Sequence, residues 1–174
     1  MKNSDSIPRK ASYVQQISLC GLLTALMLLL GYLESQVPLV PAMPGIKLGL
    51  SNTVLLYAVF LLPTPFTFVL MGVKVILSAF LFGNPFAMLF SLAGGILSSA
   101  GMLAARRFGR FGVVGVSVAG GVLHNAGQMI VALWLVGNFH ILYYCAVLLL
   151  TGIGTGILTG IVAGMVMRAL RSRP

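Results

Sequence analysis

Acidic side chains are almost absent from this chain, which has only Asp5 and Glu34 among its 174 residues. A single aspartate leaves no pair to hold Mg²⁺ against a diphosphate and no Ser-His-Asp set for nucleophilic catalysis. The sequence also lacks the GxxxxGK[ST] motif with which P-loop proteins hydrolyse nucleotides. We therefore expect a protein that performs no catalysis and has no cofactor or metal centre of its own.

Charge of either sign is scarce as well. Charged residues make up 7% of the chain, whereas an average soluble domain has about 25%. Hydrophobic residues make up 59%, and the mean hydropathy is +1.05. Such a chain has too few polar residues to form the water-exposed surface of a soluble protein. The composition therefore predicts an integral membrane protein, built of helices that satisfy their own backbone hydrogen bonds in lipid.

The few cations are clustered. Nine of the eleven lysines and arginines lie in residues 1–12, in the "RRFGRFG" segment at 106–112, or in residues 168–174. Short segments rich in Lys and Arg stay on the cytoplasmic side of a membrane. The clusters therefore indicate topology in the membrane, and we expect no nucleic-acid partner.

Apolar runs near the length of a bilayer span occur six times, at about 13–33, 48–62, 66–82, 86–105, 112–137 and 141–167. Six spans place all three basic clusters on one side, so we expect one all-α bundle with both termini inside and with basic tails at 1–12 and 168–174. The second run covers only about 22 Å of a ~30 Å hydrocarbon core, so neighbouring helices should shelter it. The loop at 34–47 holds three prolines and is either a stiff connector or a lid over the outer mouth.

Small residues recur at helical spacing in three of the runs. Glycine and serine let helices approach closely in lipid, so we interpret the stripes in the fourth and sixth runs as packing surfaces within the bundle. A single small-xxx-small pair, Gly21 and Ala25, stands in the first run. The packing residues are Gly94, Ser98 and Gly101 in the fourth run and Gly152, Gly156, Gly160 and Gly164 in the sixth.

Three polar side chains interrupt the fifth run in "GVLHNAGQMI". His124 is the thirteenth of its 26 residues, which places it near the middle of the membrane. At about 100° per residue, His124, Asn125 and Gln128 share one face with Gly121, whose missing side chain leaves room. Ionisable residues inside a membrane are functional by default. Hydrogen bonding between helices is the alternative.

Lys74 is the ninth of 17 residues in the third run and is also expected at mid-depth. An ammonium group there costs at least ~2.5 kcal/mol on insertion scales, so it should face the bundle interior. Glu34 is the acid nearest to the membrane in this arrangement and stands at the outer end of the first run. A lysine side chain offers hydrogen-bond donors only, and His124 and the two amides offer both donors and acceptors. We therefore expect a pocket for a small anionic or strongly hydrogen-bonding solute.

The segments "VPAMPGIKLGLSNTVLLYAVFLL", "GNPFAMLFSLAGGILSS" and "GGVLHNAGQMI" resemble the bacterial Gx transporter family, also called heptaprenyl diphosphate synthase component I. The resemblance covers nearly the whole chain after residue 15, and "PGIKLGLSN" and "HNxGQ" are its specific parts. The family is in turn similar to the S components of energy-coupling factor (ECF) transporters. Those are six-helix membrane subunits that capture a vitamin or metal ion outside the cell and are energised by a separate transmembrane subunit with two ATPases.

The resemblance implies roles for particular residues. S components dock their energising subunit through small residues in the first helix, often Ala-x-x-x-Ala, and Gly21 and Ala25 resemble that motif with glycine in the first place. Their substrate site lies under the first external loop and among the later helices. The candidate substrate-binding residues are then Glu34, Lys47, Asn52, Lys74, His124, Asn125 and Gln128.

Three functions stay open on the sequence. The first is the substrate-capture subunit of an ECF-like uptake transporter. The second is a secondary transporter that acts alone and couples to protons through Glu34, Lys74 or His124. The third is an accessory membrane subunit of polyprenyl diphosphate synthesis, since aspartate-rich Mg²⁺ motifs for catalysis are missing. The small-residue pair favours the first.

Overall fold

A computed structural model describes residues 12–36 and 49–171 of the chain. This part forms six α-helices and one short 3-10 helix, and it contains no strand. The helices are α1 (Tyr13–Gln36), α2 (Leu50–Leu61), α3 (Thr64–Phe82), α4 (Pro85–Arg107), α5 (Val113–Val136) and α6 (Leu142–Arg171), and the 3-10 helix at Phe139–Ile141 precedes α6.

Each helix lies on one of the apolar runs, and the helix boundaries follow local chemistry. Proline stands in the first turn of α3 and of α4, where its missing N–H has no intrahelical acceptor to lose. The side chain of Asn84 caps α4 by accepting a hydrogen bond from the N–H of Ala87 at 2.8 Å. Gly137 ends α5 in the left-handed conformation, with φ of 64°, a backbone shape that glycine adopts without strain.

Five of the six helices are long and apolar enough to cross a membrane, and α2 is the exception. Large apolar side chains on the outside of the bundle, such as Phe80 and Trp134, are exposed. In water such a surface would be unstable, whereas lipid is its matching solvent. The chain is therefore a helical membrane protein of the multi-pass type.

The short helix α2 lies among the others. Six of its 12 residues are buried, and it contacts α1, α3, α4 and α6. Its carboxyl end is tied to the end of α4, because the Arg106 guanidinium donates to the carbonyl oxygen of Val59 and lies 5.5 Å from the ring centroid of Phe60. The expectation that neighbours shelter α2 agrees with this burial.

Glycines join α4, α5 and α6 into one antiparallel layer, in which α5 packs most extensively. A Cβ atom on Gly127 would lie 2.6 Å from the carbonyl oxygen of Ala93 in α4, and one on Gly156 would lie 2.7 Å from Cα of Val118 in α5. Real Cβ atoms do not come so close to backbone. These two helix pairs therefore pack at a distance that only glycine permits.

The expected packing residues divide by position. Gly152, Gly156 and Gly160 all face α5, while Gly94 and Gly101 face its other side and Ser98 is buried. Gly164 has no atom of a described residue near its Cβ position. Since Gly160 already faces Val114, near the start of α5 at Val113, Gly164 lies one turn beyond this helix and takes no part in the contact.

The predicted topology has both termini on the cytoplasmic side. Reporter fusions at residues 40 and 109 should then fall on opposite sides of the membrane, because the basic "RRFGR" segment is retained inside. An alkaline phosphatase fusion is active only outside the cytoplasm, and a fluorescent-protein fusion fluoresces only inside it, so the two reporters locate each residue independently. If residues 40 and 109 are found on the same side of the membrane, the predicted topology is wrong.

Candidate functional site

A cavity of about 110 Å³ lies inside the bundle, and all six helices contribute to its wall. Six of the seven candidate residues line it: Glu34, Asn52, Lys74, His124, Asn125 and Gln128. The seventh, Lys47, lies outside the described residues. The structure thus brings together one carboxylate, one ammonium group, one imidazole and three amides from α1, α2, α3 and α5.

Hydroxyl groups that the sequence did not single out complete the wall. They are Ser51, Ser78, Ser91, Thr151 and Thr155. Three of them bond to backbone carbonyls of their own helix: Ser78 to Lys74 at 2.6 Å, Thr151 to Leu148 at 2.8 Å and Thr155 to Thr151 at 2.9 Å. Such local bonds are ordinary for Ser and Thr in helices, and for that reason the sequence carries no signal for them.

Close helix packing shapes the wall around His124. A Cβ atom on Gly94 would lie 2.9 Å from both Nδ1 and Cε1 of the His124 ring, so the imidazole occupies the space that this glycine leaves. Gly121 also lines the cavity. Because it has no side chain, the backbone of Gly152 in α6 packs directly against it. Room for the imidazole thus comes from Gly94 in α4.

Asn125 is oriented by α6. Its Nδ2 donates to the carbonyl oxygen of Leu148 at 2.5 Å, and Gly152 lies beside the same amide. An oriented amide presents its remaining donor and acceptor in fixed directions, which suits recognition of a solute.

Glu34 closes the wall at the start of α2. Its Oε1 accepts a hydrogen bond from the N–H of Gly49 at 2.5 Å. Gly49 is the N-cap residue of α2, with φ of 80° and no side chain to cap the helix, and the carboxylate from α1 bonds to the N–H of Gly49 itself. A carboxylate at a helix amino terminus is stabilised by the unpaired N–H groups there.

Outside the cavity, Gly21 and Ala25 of the small-residue pair are both exposed on α1, and no atom of another described helix lies within 4 Å of the Cβ position of Gly21. The described residues thus leave this pair exposed. They also contain no group of three His, Cys, Asp or Glu side chains placed to hold a metal ion.

The described part of the chain is thus a bundle of apolar helices with charged and polar side chains around an internal cavity, which defines a helical membrane protein. Residues 23–166 match the profile of the family described as heptaprenyl diphosphate synthase component I, and the chain belongs to that family. No curated protein and no solved structure matches the chain.

Proposed function

We propose that this protein is the substrate-binding subunit of an ECF-like uptake transporter in a bacterial cytoplasmic membrane, and that it captures a small anionic or polar solute without chemical conversion. The observation that carries the proposal is the cavity: in a chain with 7% charged residues, both a carboxylate and an ammonium group line the same cavity inside the bundle. Charged groups are placed inside a membrane protein at a cost. A polar ligand would offset that cost.

The size of the cavity limits the solute. A cavity of about 150 Å³ holds benzene, so the 110 Å³ here suits a compact solute of few atoms. A seven-unit prenyl chain exceeds this volume many times and is apolar, whereas charged and amide side chains line much of the cavity. The cavity therefore favours capture of a small polar solute over handling of a prenyl diphosphate.

The family description supports a second candidate, an accessory role in heptaprenyl diphosphate synthesis. In that role the protein would act through contact with a soluble synthase. The two candidates differ in their partners: transport requires a transmembrane subunit with ATPases, and synthesis requires a prenyl diphosphate synthase. Affinity purification from the native host, with the captured proteins identified by mass spectrometry, separates them.

We propose that the energising subunit docks at Gly21 and Ala25, because α1 leaves this pair uncovered. Ala25→Leu should abolish solute uptake by cells, since a leucine side chain would hold a closely packed partner helix away. Binding of the solute to the purified variant should stay normal. Uptake of radiolabelled solute and equilibrium binding measure the two effects separately.

Ala104→Leu is the matched control, because Ala104 is an exposed alanine on α4. It should leave both uptake and binding unchanged. Loss of binding in Ala25→Leu would assign the pair to internal packing, and normal uptake in that variant would remove the docking proposal.

A further inference from the structure

The amino end of α2 lies deep in the bundle. A Cβ atom on Gly49 would lie 3.3 Å from Cγ2 of Thr159, and Thr159 is the 18th of the 30 residues of α6. Gly49, Ser51 and Asn52 all line the cavity. The first turn of α2 therefore forms part of the cavity wall inside the bundle.

The backbone of this turn offers hydrogen-bond donors. The first N–H groups of an α-helix have no acceptor within the helix. The N–H of Gly49 donates to Glu34, and the N–H of Thr53 donates to the carbonyl oxygen of Gly49 at 3.0 Å. For the N–H groups of Leu50, Ser51 and Asn52, the described residues supply no acceptor. Such a terminus carries a partial positive charge and binds anions.

Ser51 points independently to a ligand at the same place. It is only 4% exposed and lines the cavity, yet its hydroxyl has no hydrogen-bond partner among the described residues. By contrast, the buried hydroxyls of Ser117 and Thr159 bond to each other at 2.8 Å. A buried hydroxyl left unpaired is costly, and a ligand oxygen would satisfy it.

We propose that the first turn of α2 is an oxyanion subsite, in which the N–H groups of residues 50–52 and the Ser51 hydroxyl bind a carboxylate or phosphate group of the captured solute. The proposal rests on the proposed function, that the cavity binds a solute. Glu34 already places a carboxylate oxygen on the N–H of Gly49, next to these donors, so its negative charge competes with an anionic ligand at this terminus. Lys74 and His124 line the same cavity, and N–H donors of this kind form strong hydrogen bonds to an anion.

The test uses the full chain purified in detergent, titrated with sodium phosphate and with sodium acetate against sodium chloride at equal ionic strength. Thermal unfolding should show saturable stabilisation by at least one of the two oxyanions. Ser51→Ala should weaken the apparent affinity about tenfold, as expected for loss of a hydrogen bond to a charged group. Stabilisation by phosphate alone would assign a phosphate group, and by acetate alone a carboxylate.

Ser99→Ala is the matched control, because Ser99 in α4 is also buried and unpartnered among the described residues but does not line the cavity. The affinity of the Ser99→Ala protein for the anion should equal that of the wild type. Equal effects of Ser51→Ala and Ser99→Ala, or no stabilisation by either oxyanion, would overturn the subsite.

Glu34→Gln tests the sign of the interaction. If Glu34 competes with the ligand, removing its negative charge should tighten oxyanion binding. Weaker binding in Glu34→Gln would mean that the carboxylate supports the ligand, and would contradict the proposal. Purification of a bound solute without any oxyanion would also overturn the subsite, yet it would leave the proposed solute-binding function intact.

Discussion

Gly127→Ala and Gly156→Ala should each lower the free energy of unfolding in detergent micelles by about 1–3 kcal/mol, the usual cost of overpacking. In both cases the added methyl group would meet backbone atoms of the neighbouring helix, at 2.6 Å in α4 and at 2.7 Å in α5. Backbone cannot rotate away as a flexible side chain can, so the helices must separate. Equilibrium unfolding followed by circular dichroism measures the loss.

Gly154→Ala and Gly72→Ala are the matched controls. No atom of another described helix lies within 4 Å of either Cβ position, so a methyl group there fits without moving a neighbouring helix. Their stability should equal that of the wild type or exceed it slightly, because alanine is the better helix former. If all four variants unfold alike, close glycine packing does not hold this layer together.

Lys74→Met and His124→Ala should each lower the affinity for the captured solute at least tenfold. Removing one partner of a buried, hydrogen-bonded charge typically costs ~2–5 kcal/mol, whereas trimming a polar contact between membrane helices costs about 0.6 kcal/mol. Both side chains line the cavity, so a solute within it contacts them directly. Isothermal titration on the purified variants gives the affinities, and circular dichroism checks that they remain folded.

Two exposed residues serve as controls for these substitutions. His140 lies in the 3-10 helix and Arg107 at the end of α4, and neither lines the cavity. His140→Ala and Arg107→Met should bind the solute normally. Normal binding by folded Lys74→Met and His124→Ala as well would mean that these residues only support the bundle.

The helices were predictable because their signals are local. Apolar runs show where helices form, and the "PTP" and "FGNP" segments stand at the starts of α3 and α4. The meeting of Glu34, Lys74 and His124 at one cavity was also expected, since a charged or polar side chain in an apolar helix must face the interior. Their role in binding stays a prediction.

The oxyanion subsite could not be predicted from the sequence. Ser51 looks no different from Ser78 in the sequence, and the distinction arises only because Ser78 bonds to its own backbone while Ser51 is buried without a partner among the described residues. Equally, the depth of the first turn of α2 depends on how α2 crosses α6. Such long-range geometry has no periodic signature in the chain.

The most direct test of the solute-binding cavity is mass spectrometry of the small molecules that co-purify with the protein. Wild type and Ala25→Leu should release the same solute in similar amounts after denaturation, because Ala25 is exposed on α1, outside the cavity wall. Lys74→Met and His124→Ala should release at least about tenfold less, as expected from the loss of a buried charged contact. The absence of any enriched solute from the wild type, or equal amounts from the two cavity variants, would contradict the account.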